Sequence, residues 1–187
     1  MLTVDLNCKS RIPGRETAKE LRKKELVPCV FYAKGKENIN FSVSAKELRP
    51  VVYTAHKPVV RLFVDGATEP LEAIVKDITF DPVTEKIVHI DFLGLLPNHP
   101  VTVELPVILK GTAIGTRMGG KLTQVVHKIK LTTTPDKLAS AIEIDITKLD
   151  IGQQIQIKDI VQEGWKFSLP PSALICSVKQ TRASEAK

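Results

Sequence analysis

Hydrophobic and polar residues alternate along most of this chain, and that pattern predicts strands. Leu2, Val4 and Leu6 alternate with polar neighbours near the start, and an alternating isoleucine run, Ile142–Ile146, follows much later. A period of two places successive side chains on opposite faces of a strand, so such segments are half buried. The pattern therefore indicates a chain that is mainly β.

Short polar segments between the apolar runs predict two hairpins. Each has turn residues bounded by strand-like sequence. The two are Asp65-Gly66 between Val59–Val64 and Leu71–Val75, and Asp81-Pro82 between Ile74–Phe80 and Ile87–Phe92.

Two capping-box sequences predict helices. Thr17-Ala-Lys-Glu20 is expected to open a helix that runs through Lys24 and ends before Pro28. Ser44-Ala-Lys-Glu47 is expected to open a second short helix, broken or kinked at Pro50. With the strands, these give an α+β pattern for the first 96 residues.

The pattern of hydrophobic and polar residues changes near residues 94–100, where we place a domain boundary. Behind it the helical period disappears and loops rich in Gly and Pro separate short β runs, which predicts an all-β domain. We therefore expect an α+β domain over residues 1–96, a β domain over 97–180 and a polar tail over 181–187. The predicted runs of the second domain are Val101–Leu109, Leu122–Leu131, Ala141–Ile146, Gln154–Ile157 and Leu174–Val178.

The cysteines and histidines give no sign of a disulfide framework, metal or cofactor site. Cys8, Cys29 and Cys176 stand far apart, which favours buried thiols in a reducing compartment. The four histidines lack metal-ligand spacing. With no secretory signal and no membrane-spanning run, we expect a cytoplasmic protein that does not bind membranes.

Positive charge is concentrated at the start of the chain. The 27 basic and 21 acidic residues give a net charge of +6, and residues 1–36 carry +5 of it, from nine basic and four acidic groups. Such a surface neutralises several phosphates at once, although a solvated helix face is the alternative interpretation. Three of the basic residues share a face of the first helix and three flank the loop before it: Lys19, Arg22 and Lys23, then Lys9, Arg11 and Arg15.

The strand Ile87–Phe92 places His89 and Asp91 on one face and its apolar residues on the other. On an outer face, the pair suits contacts with the 2′-OH groups and base edges of RNA. A catalytic dyad and an incidental surface pair are the alternatives, but no nucleophile motif accompanies the two residues. Tyr32 ends a strand before a basic loop, where it either stacks on a base or packs at the edge of the core.

Several short motifs occur in the order and spacing found in one known family. The chain resembles the bacterial large-subunit ribosomal proteins that bind 5S rRNA, in their long two-domain form, also called the general stress protein CTC family. The motifs are Val27-Pro-Cys-Val-Phe-Tyr32, Lys76-Asp-Ile, Asp81-Pro82, His89-Ile-Asp-Phe92, Gly111-Thr-Ala-Ile-Gly115, Gly119-Gly120 and Leu149-Asp-Ile-Gly152.

The resemblance implies a fold and a binding site. The fold is an α+β N-terminal β-barrel domain with short helices, followed by an all-β C-terminal domain. The N-terminal domain would bind the loop E region of 5S rRNA across its minor groove. The implied RNA-binding residues are Lys9, Arg11, Arg15, Lys19, Arg22, Lys23, Tyr32, Lys34, Lys76, His89 and Asp91.

The chain also departs from the family pattern. Ala33 replaces a usual Gly, which puts a left-handed backbone there in doubt. Thr79 and Asp81 stand where Gln and His are frequent, so neither is included in the predicted site. Lys replaces Arg at positions 9 and 19, which keeps the charge but loses the bidentate geometry.

We therefore expect a non-enzymatic structural component of the ribosome. Off the ribosome it would be a monomer, and on it the C-terminal domain would contact neighbouring large-subunit proteins or rRNA. No phosphate-binding loop of the GxxxxGK[ST] type supports an enzyme. The alternative is a stress-induced module that docks a partner protein through edge strands of the second domain or through its Gly111–Gly120 loop. In that domain, Trp165 is expected to be a core or interface anchor.

Overall fold

The computed structural model describes residues 2–35, 37–65, 69–97 and 99–181. The chain divides into two compact units, Met1–His99 and Pro100–Lys187. Lys36 of the basic segment, Gly66 of the first predicted turn and residues 182–187 of the predicted tail lie outside the described residues. Among the helices described, none is long and apolar enough to span a bilayer.

The first unit is a closed six-stranded barrel with the strand order β1-β3-β2-β6-β5-β4. The expected α+β barrel and the predicted sequence of strands and helices are confirmed. Its elements are β1 (Thr3–Ser10), α1 (Arg15–Lys23), β2 (Leu26–Tyr32), β3 (Ile39–Ser44), α2 (Ala45–Val52), β4 (Val59–Val64), β5 (Leu71–Phe80) and β6 (Ile87–Gly94).

Both predicted hairpins form, and two parallel pairings close the barrel. β4 pairs with β5 and β5 with β6 in antiparallel fashion. The parallel pairs are β2 with β6 and β1 with β4. On the β1–β4 seam, Asp5 stands opposite Arg61, and the guanidinium donates to both carboxylate oxygens at 2.7 and 2.8 Å. The seam thus joins strands more than 50 residues apart.

The barrel interior is filled by the apolar side chains of the alternating strands. Leu6, Leu62 and Ile90 are almost fully buried, and the Phe41 and Phe92 rings pack with centroids 5.7 Å apart. Burying one side chain of this size stabilises a fold by about 1.5–3 kcal/mol. Because the interior accepts only apolar groups, the charged side chains of these strands project outward.

Helix α1 begins earlier than its capping box predicts. Its first residue is Arg15, the Gly14 carbonyl accepts the Ala18 N–H at 3.1 Å, and Thr17 lies inside the helix. The predicted Thr17 cap is therefore wrong. The earlier start puts Glu16 in the first turn, where a negative charge favours the helix dipole.

Helix α2 begins after Ser44, as predicted, but the Ser44 side chain makes no capping hydrogen bond. Pro50 does not end the helix, which continues to Val52. Proline removes one backbone hydrogen bond from the helix. Burial of Leu48 and Val51 in the barrel core offsets that loss and holds the last turn in place.

Ala33 fits its position without a left-handed backbone. It is not among the described residues with positive φ, and its methyl group is buried. The close approach lies across the sheet at Gly94, where a Cβ would stand 2.5 Å from the Phe31 ring and 2.7 Å from the Ala33 Cβ. Glycine is therefore required at position 94, where a side chain would clash, and not at position 33.

The second unit consists of a four-stranded sheet, β10-β7-β9-β12, and a three-stranded sheet, β11-β13-β8. It is predominantly β, as expected. Its elements are β7 (Val101–Lys110), α3 (Ile114–Arg117), β8 (Lys121–Gln124), β9 (Lys128–Thr133), β10 (Ile142–Asp145), β11 (Gln154–Gln156), β12 (Lys166–Phe167) and β13 (Leu174–Lys179), with 3₁₀ turns at Pro135–Lys137 and Ile157–Ile160.

The predicted run Leu122–Leu131 is two strands that belong to different sheets. The Gln124 side-chain amide donates to the carbonyls of Val107 and Val126 at 3.2 and 3.1 Å. These bonds hold the chain where it leaves β8, and Val125 is exposed there. Residue types alone indicate one continuous β run, because the break depends on a bond to a distant strand.

All three cysteines are free and buried, as the sequence predicts. Burial raises the pKa of the Cys8 thiol to about 12, and the nearby Glu47 and Asp65 carboxylates add to the shift. Burial also raises the pKa of the Cys29 and Cys176 thiols. These thiols therefore remain protonated in the folded protein at neutral pH.

We expect the native thiols to be inert toward a disulfide reagent at mildly alkaline pH and to react fully in concentrated guanidinium chloride. Because the folded Cys8 holds its proton above the ordinary thiol pKa of 9.0, its contribution to the free energy of unfolding is complete below pH 9 and declines as the pH rises toward 12. Thiol titration and denaturant melts across this window measure both effects. Native labelling as fast as labelling of the unfolded chain would contradict the burial.

Leu48→Ala should lower the free energy of unfolding of the first unit by about 2–5 kcal/mol, because it leaves a cavity where a fully buried side chain closes the barrel core. Lys46→Ala, on the exposed side of the same helix, should change it by less than about 0.5 kcal/mol. Calorimetry of both variants makes the comparison. Equal losses would show that α2 does not anchor the core.

Candidate nucleic-acid interface

Three neighbouring strands carry the candidate residues Tyr32, Lys76, His89 and Asp91. Tyr32 lies on β2, the His-Asp pair on β6 and Lys76 on β5, and β6 stands between the other two in the barrel. Phe31, Ile90 and Phe92 point into the core, so the alternate residues Tyr32, His89 and Asp91 project outward. The four residues form one patch on the barrel, the outer strip.

A β-bulge brings Lys76 into the outer strip. The β5–β6 register shifts between Val75 and Asp77, so Lys76 is the extra residue of the bulge. Its ammonium nitrogen lies over the Tyr32 ring, 5.3 Å from the ring centroid. A cation–π contact at an exposed site contributes about 0.5–1 kcal/mol. The bulge thus gives the strip a cation that reaches across β6 to an aromatic ring.

His89 and Asp91 form a close side-chain pair. The imidazole Nδ1 lies 2.8 Å from Asp91 Oδ1, and the side chains are 29% and 38% exposed. Nε2 of His89 has no partner among the described residues. Nε2 and the second carboxylate oxygen are therefore available to a ligand.

Arg22 connects helix α1 to the start of β6. Its Nε–H donates to the carbonyl of Val88 at 3.1 Å, one residue before His89. The terminal amino groups of the guanidinium make no hydrogen bond or ion pair within the described chain. The helix therefore places a cation beside the outer strip while keeping its remaining donors free.

The other predicted residues are not joined to the outer strip by a described contact. Lys9 projects from β1, which β3 and β2 separate from β6. Arg11 lies just beyond β1, where its Nε–H donates to the Phe41 carbonyl at 3.2 Å. The rest are exposed cations, and within the described residues their side chains have no hydrogen-bond or ion-pair partner: Arg15, Lys19, Lys23 and Lys34.

The hairpin register adds two residues that sequence reasoning did not include. Asp77 stands opposite Asp91, and Thr79 stands opposite His89. Both are exposed, so they border the outer strip. The register shifts between Thr79 and Phe80 and again between Val75 and Asp77, so a simple count of outward positions along the predicted hairpin does not find these two pairings.

Asp81 has a local role, which supports leaving it out of the site. Its Oδ1 accepts the N–H groups of Val83 and Thr84 in the β5–β6 turn, at 3.0 and 2.8 Å. Hydrogen bonds from Thr84 and Val83 lower the pKa of this carboxyl. Asp81 therefore stabilises the turn as an ionised cap.

The chemistry of the outer strip suits binding rather than catalysis. It combines an aromatic ring, a cation, an imidazole and a carboxylate on three adjacent strands. Within the described residues there is no group of three or more His, Cys, Asp or Glu side chains that could hold a metal ion. The aromatic ring, the cation, the imidazole and the carboxylate of the outer strip are groups that recognise riboses, base edges and phosphates in RNA.

Two family models match the chain in sequence. Residues 6–92 match the Ribosomal L25p family, and residues 100–182 match the C-terminal domain of ribosomal protein TL5. The matched segments fall within the first and second structural units respectively.

Curated relatives match almost the full length. A Porphyromonas gingivalis protein is 37% identical over 171 residues, covering 91% of this chain and 88% of the relative. A Phocaeicola vulgatus protein is 37% identical with the same coverage, and one from Chloroherpeton thalassium is 32% identical, covering 90% and 86%. Each relative is named large ribosomal subunit protein bL25, which agrees with the expectation of a non-enzymatic protein.

Identity at this level over nine-tenths of the chain, together with the two family matches in order, leaves one conclusion. The chain belongs to the Ribosomal L25p family, in the long form that carries a TL5-type C-terminal domain.

Proposed function

We propose that this protein is a structural component of the large ribosomal subunit and that its barrel binds 5S rRNA at the loop E region. The observation that carries the proposal is the outer strip, which brings Tyr32, Lys76, His89 and Asp91 together on three adjacent strands. The names of the relatives support the ribosomal location.

The chemistry of the strip suits an A-form minor groove. That groove is wide and shallow and displays 2′-OH groups and base edges. The free carboxylate oxygen of Asp91 would accept from a 2′-OH or a guanine amino group, and Nε2 of His89 would contact a ribose or a phosphate. The close contact of the two side chains is already present without RNA.

The unpaired cations around the barrel would supply most of the affinity. Arg15, Lys19 and Lys23 on α1 have no described side-chain partner, so no internal ion pair must be broken before they contact phosphate. Neutralising about five phosphates of RNA gives a slope of log K against log salt of about −3.5 to −4.5. The cations would provide affinity, whereas the outer strip would provide selectivity.

His89→Ala should weaken binding of a loop E fragment by about tenfold and leave binding of an unrelated RNA duplex nearly unchanged, because it removes a base-edge or ribose contact rather than a phosphate contact. Gel shifts at several salt concentrations measure both affinities. His127→Ala, which removes an exposed histidine from the second unit, is the matched control.

Arg22→Ala should instead weaken the binding of both the loop E fragment and the unrelated duplex, and it should make both affinities depend less steeply on salt concentration. Parallel losses on both RNAs for His89→Ala, or equal affinity of the unaltered protein for both, would reduce the activity to general polyanion binding.

A groove in the second unit favours a second function, the docking of a partner protein. The β10 groove is a cavity of about 820 Å³ lined by β10, by β11 and by Trp165. β10 has one neighbour, β7, and all four of its residues line the cavity. A cavity lined by side chains from both faces of a strand follows the edge of that strand.

The free edge of β10 exposes backbone groups that suit an added strand. The Ile146 N–H donates to the Lys110 carbonyl of β7 at 3.0 Å, so in this parallel pair the even-numbered residues face β7. The N–H and C=O groups of Glu143 and Asp145 therefore face the open edge, and no described bond uses them. An extended peptide would pair with them by strand addition.

Charge indicates which partner would occupy the β10 groove. The charged residues that line it are Glu143, Asp145 and Asp159, all acidic. Lys110 pairs with Glu143 at 2.6 Å, so part of this charge is compensated. The groove still disfavours rRNA, which is a polyanion, and favours a basic extended segment of a neighbouring ribosomal protein.

A peptide of alternating lysine and valine should bind the β10 groove and change the fluorescence of Trp165, the single tryptophan of the chain. Glu143→Pro removes one open-edge N–H and should weaken this binding about tenfold more than Glu143→Ala, which keeps the N–H. A peptide of alternating glutamate and valine is the charge control. Binding of both peptides alike, or equal effects of the two variants, would argue against strand addition.

A further inference from the structure

The first unit contains a second groove that does not include His89 or Asp91. This α1–α2 groove has a volume of about 680 Å³ and lies between the end of α1, helix α2 and the β5–β6 turn. Part of its lining is apolar and half buried, from Leu26, Ile87 and Val88. The groove is therefore large enough for a nucleobase and apolar enough to accept one.

Four cations line the α1–α2 groove. Lys46, Arg49 and Lys86 are exposed, and their side chains have no hydrogen-bond or ion-pair partner among the described residues. Arg22 is the fourth and keeps its terminal amino groups free. Four like charges around one cavity repel each other unless an anion joins them, so the groove is complementary to phosphate.

Two acidic residues, Glu25 and Asp81, also line the groove, so the four cations leave a formal excess of two positive charges. Oδ1 of Asp81 already accepts two backbone N–H groups of its own turn. Glu25 has a left-handed backbone with φ of 58°, and its carbonyl accepts the Ala45 N–H at 3.0 Å. Glu25 thus joins the chain just after α1 to the start of α2 at one side of the groove.

The groove also contains an exposed aromatic ring. Tyr53 directly follows α2 and is 64% exposed. An exposed tyrosine beside apolar lining and unpaired cations is the arrangement that proteins use to stack an unpaired base while its phosphates are neutralised. A paired base inside a duplex cannot present its face in this way.

We propose that the α1–α2 groove binds an unpaired nucleotide of RNA, with its base stacked on Tyr53 and its flanking phosphates held by Arg49 and Lys86. The inference rests on the proposed function only in taking RNA as the ligand class. It adds a site that recognises single-stranded RNA beside the one that recognises the loop E duplex. Arg22 borders both sites, because it lines the groove and bonds the residue before His89.

Two probes tested on the full-length protein separate the two sites. One is a fluorescently labelled oligouridylate, and the other is a loop E fragment with no single-stranded ends. Tyr53→Ala should weaken oligouridylate binding about tenfold and change the affinity for the loop E fragment by less than about twofold. Tyr53→Phe keeps the aromatic ring and should retain both affinities. His89→Ala should show the reverse pattern.

Charge variants test the phosphate contacts. Arg49→Ala should weaken oligouridylate binding and lower its salt dependence, and Lys24→Ala, which removes an exposed lysine that does not line the groove, is the control. Thermal melts establish that each variant is folded. Because Tyr53 and Arg49 are exposed, we expect both substitutions to leave the fold intact.

The outcomes distinguish this proposal from the proposed function. Unchanged oligouridylate binding in Tyr53→Ala and Arg49→Ala would contradict nucleotide binding in the α1–α2 groove. A short acidic peptide that displaced the oligouridylate as effectively as RNA does would also contradict it. If loop E binding were unselective while the Tyr53 effect remained, the groove would stand and the loop E assignment would fall.

Discussion

The parallel pairing of β2 with β6 is the constraint on which the candidate interface depends. It sets Val30 against Asp91 and Tyr32 against Leu93, and so joins residues about 60 positions apart. The basic helix α1 leads directly into β2, whereas His89 and Asp91 belong to the hairpin of β5 and β6. Without this pairing the charged helix and the His-Asp strand would lie in separate parts of the barrel, and one RNA helix would not meet both.

A closed barrel also determines where charge goes. Its interior is apolar, so every charged strand residue must lie outside or at the ends. Outside, the charges divide into two kinds. Asp5 and Arg61 neutralise each other across the β1–β4 seam, whereas the cations of α1 and of the α1–α2 groove, apart from Arg22 with its bond to a backbone carbonyl, have no described side-chain partner. Exposed ion pairs add little to stability, so the unpaired cations cost the fold little and remain available to phosphate.

The sequence predicts the local parts of this structure well and the distant pairings poorly. Alternating residues and turn signals identify the hairpins, because strand and turn lie within about 15 residues of each other. The same alternation places His89 and Asp91 on the outer face. The parallel seams leave no such local signal, since they depend on which distant strands share one core.

Individual side chains were harder to predict for the same reason. Lys76 reaches Tyr32 only because a bulge shifts the register of β5, and residue types do not reveal a bulge. The sequence does not predict the α1–α2 groove, because its lining residues come from three separate segments of the chain that only the fold brings together. Resemblance to the family supplied Lys76 as a candidate, but only the structure gives its contact with Tyr32.

Arg22 shows how a single hydrogen bond prepares both candidate sites. A free arginine side chain loses about 2 kcal/mol of rotamer entropy when it becomes fixed. Its Nε–H bond to the Val88 carbonyl already fixes part of the side chain during folding, so a phosphate that bound there would cost less of this entropy. The bond also leaves the two terminal amino groups of the guanidinium without a described partner. Because the same guanidinium lines the α1–α2 groove and borders the outer strip, a phosphate at Arg22 would lie where a paired RNA stem on one site continues into an unpaired nucleotide on the other.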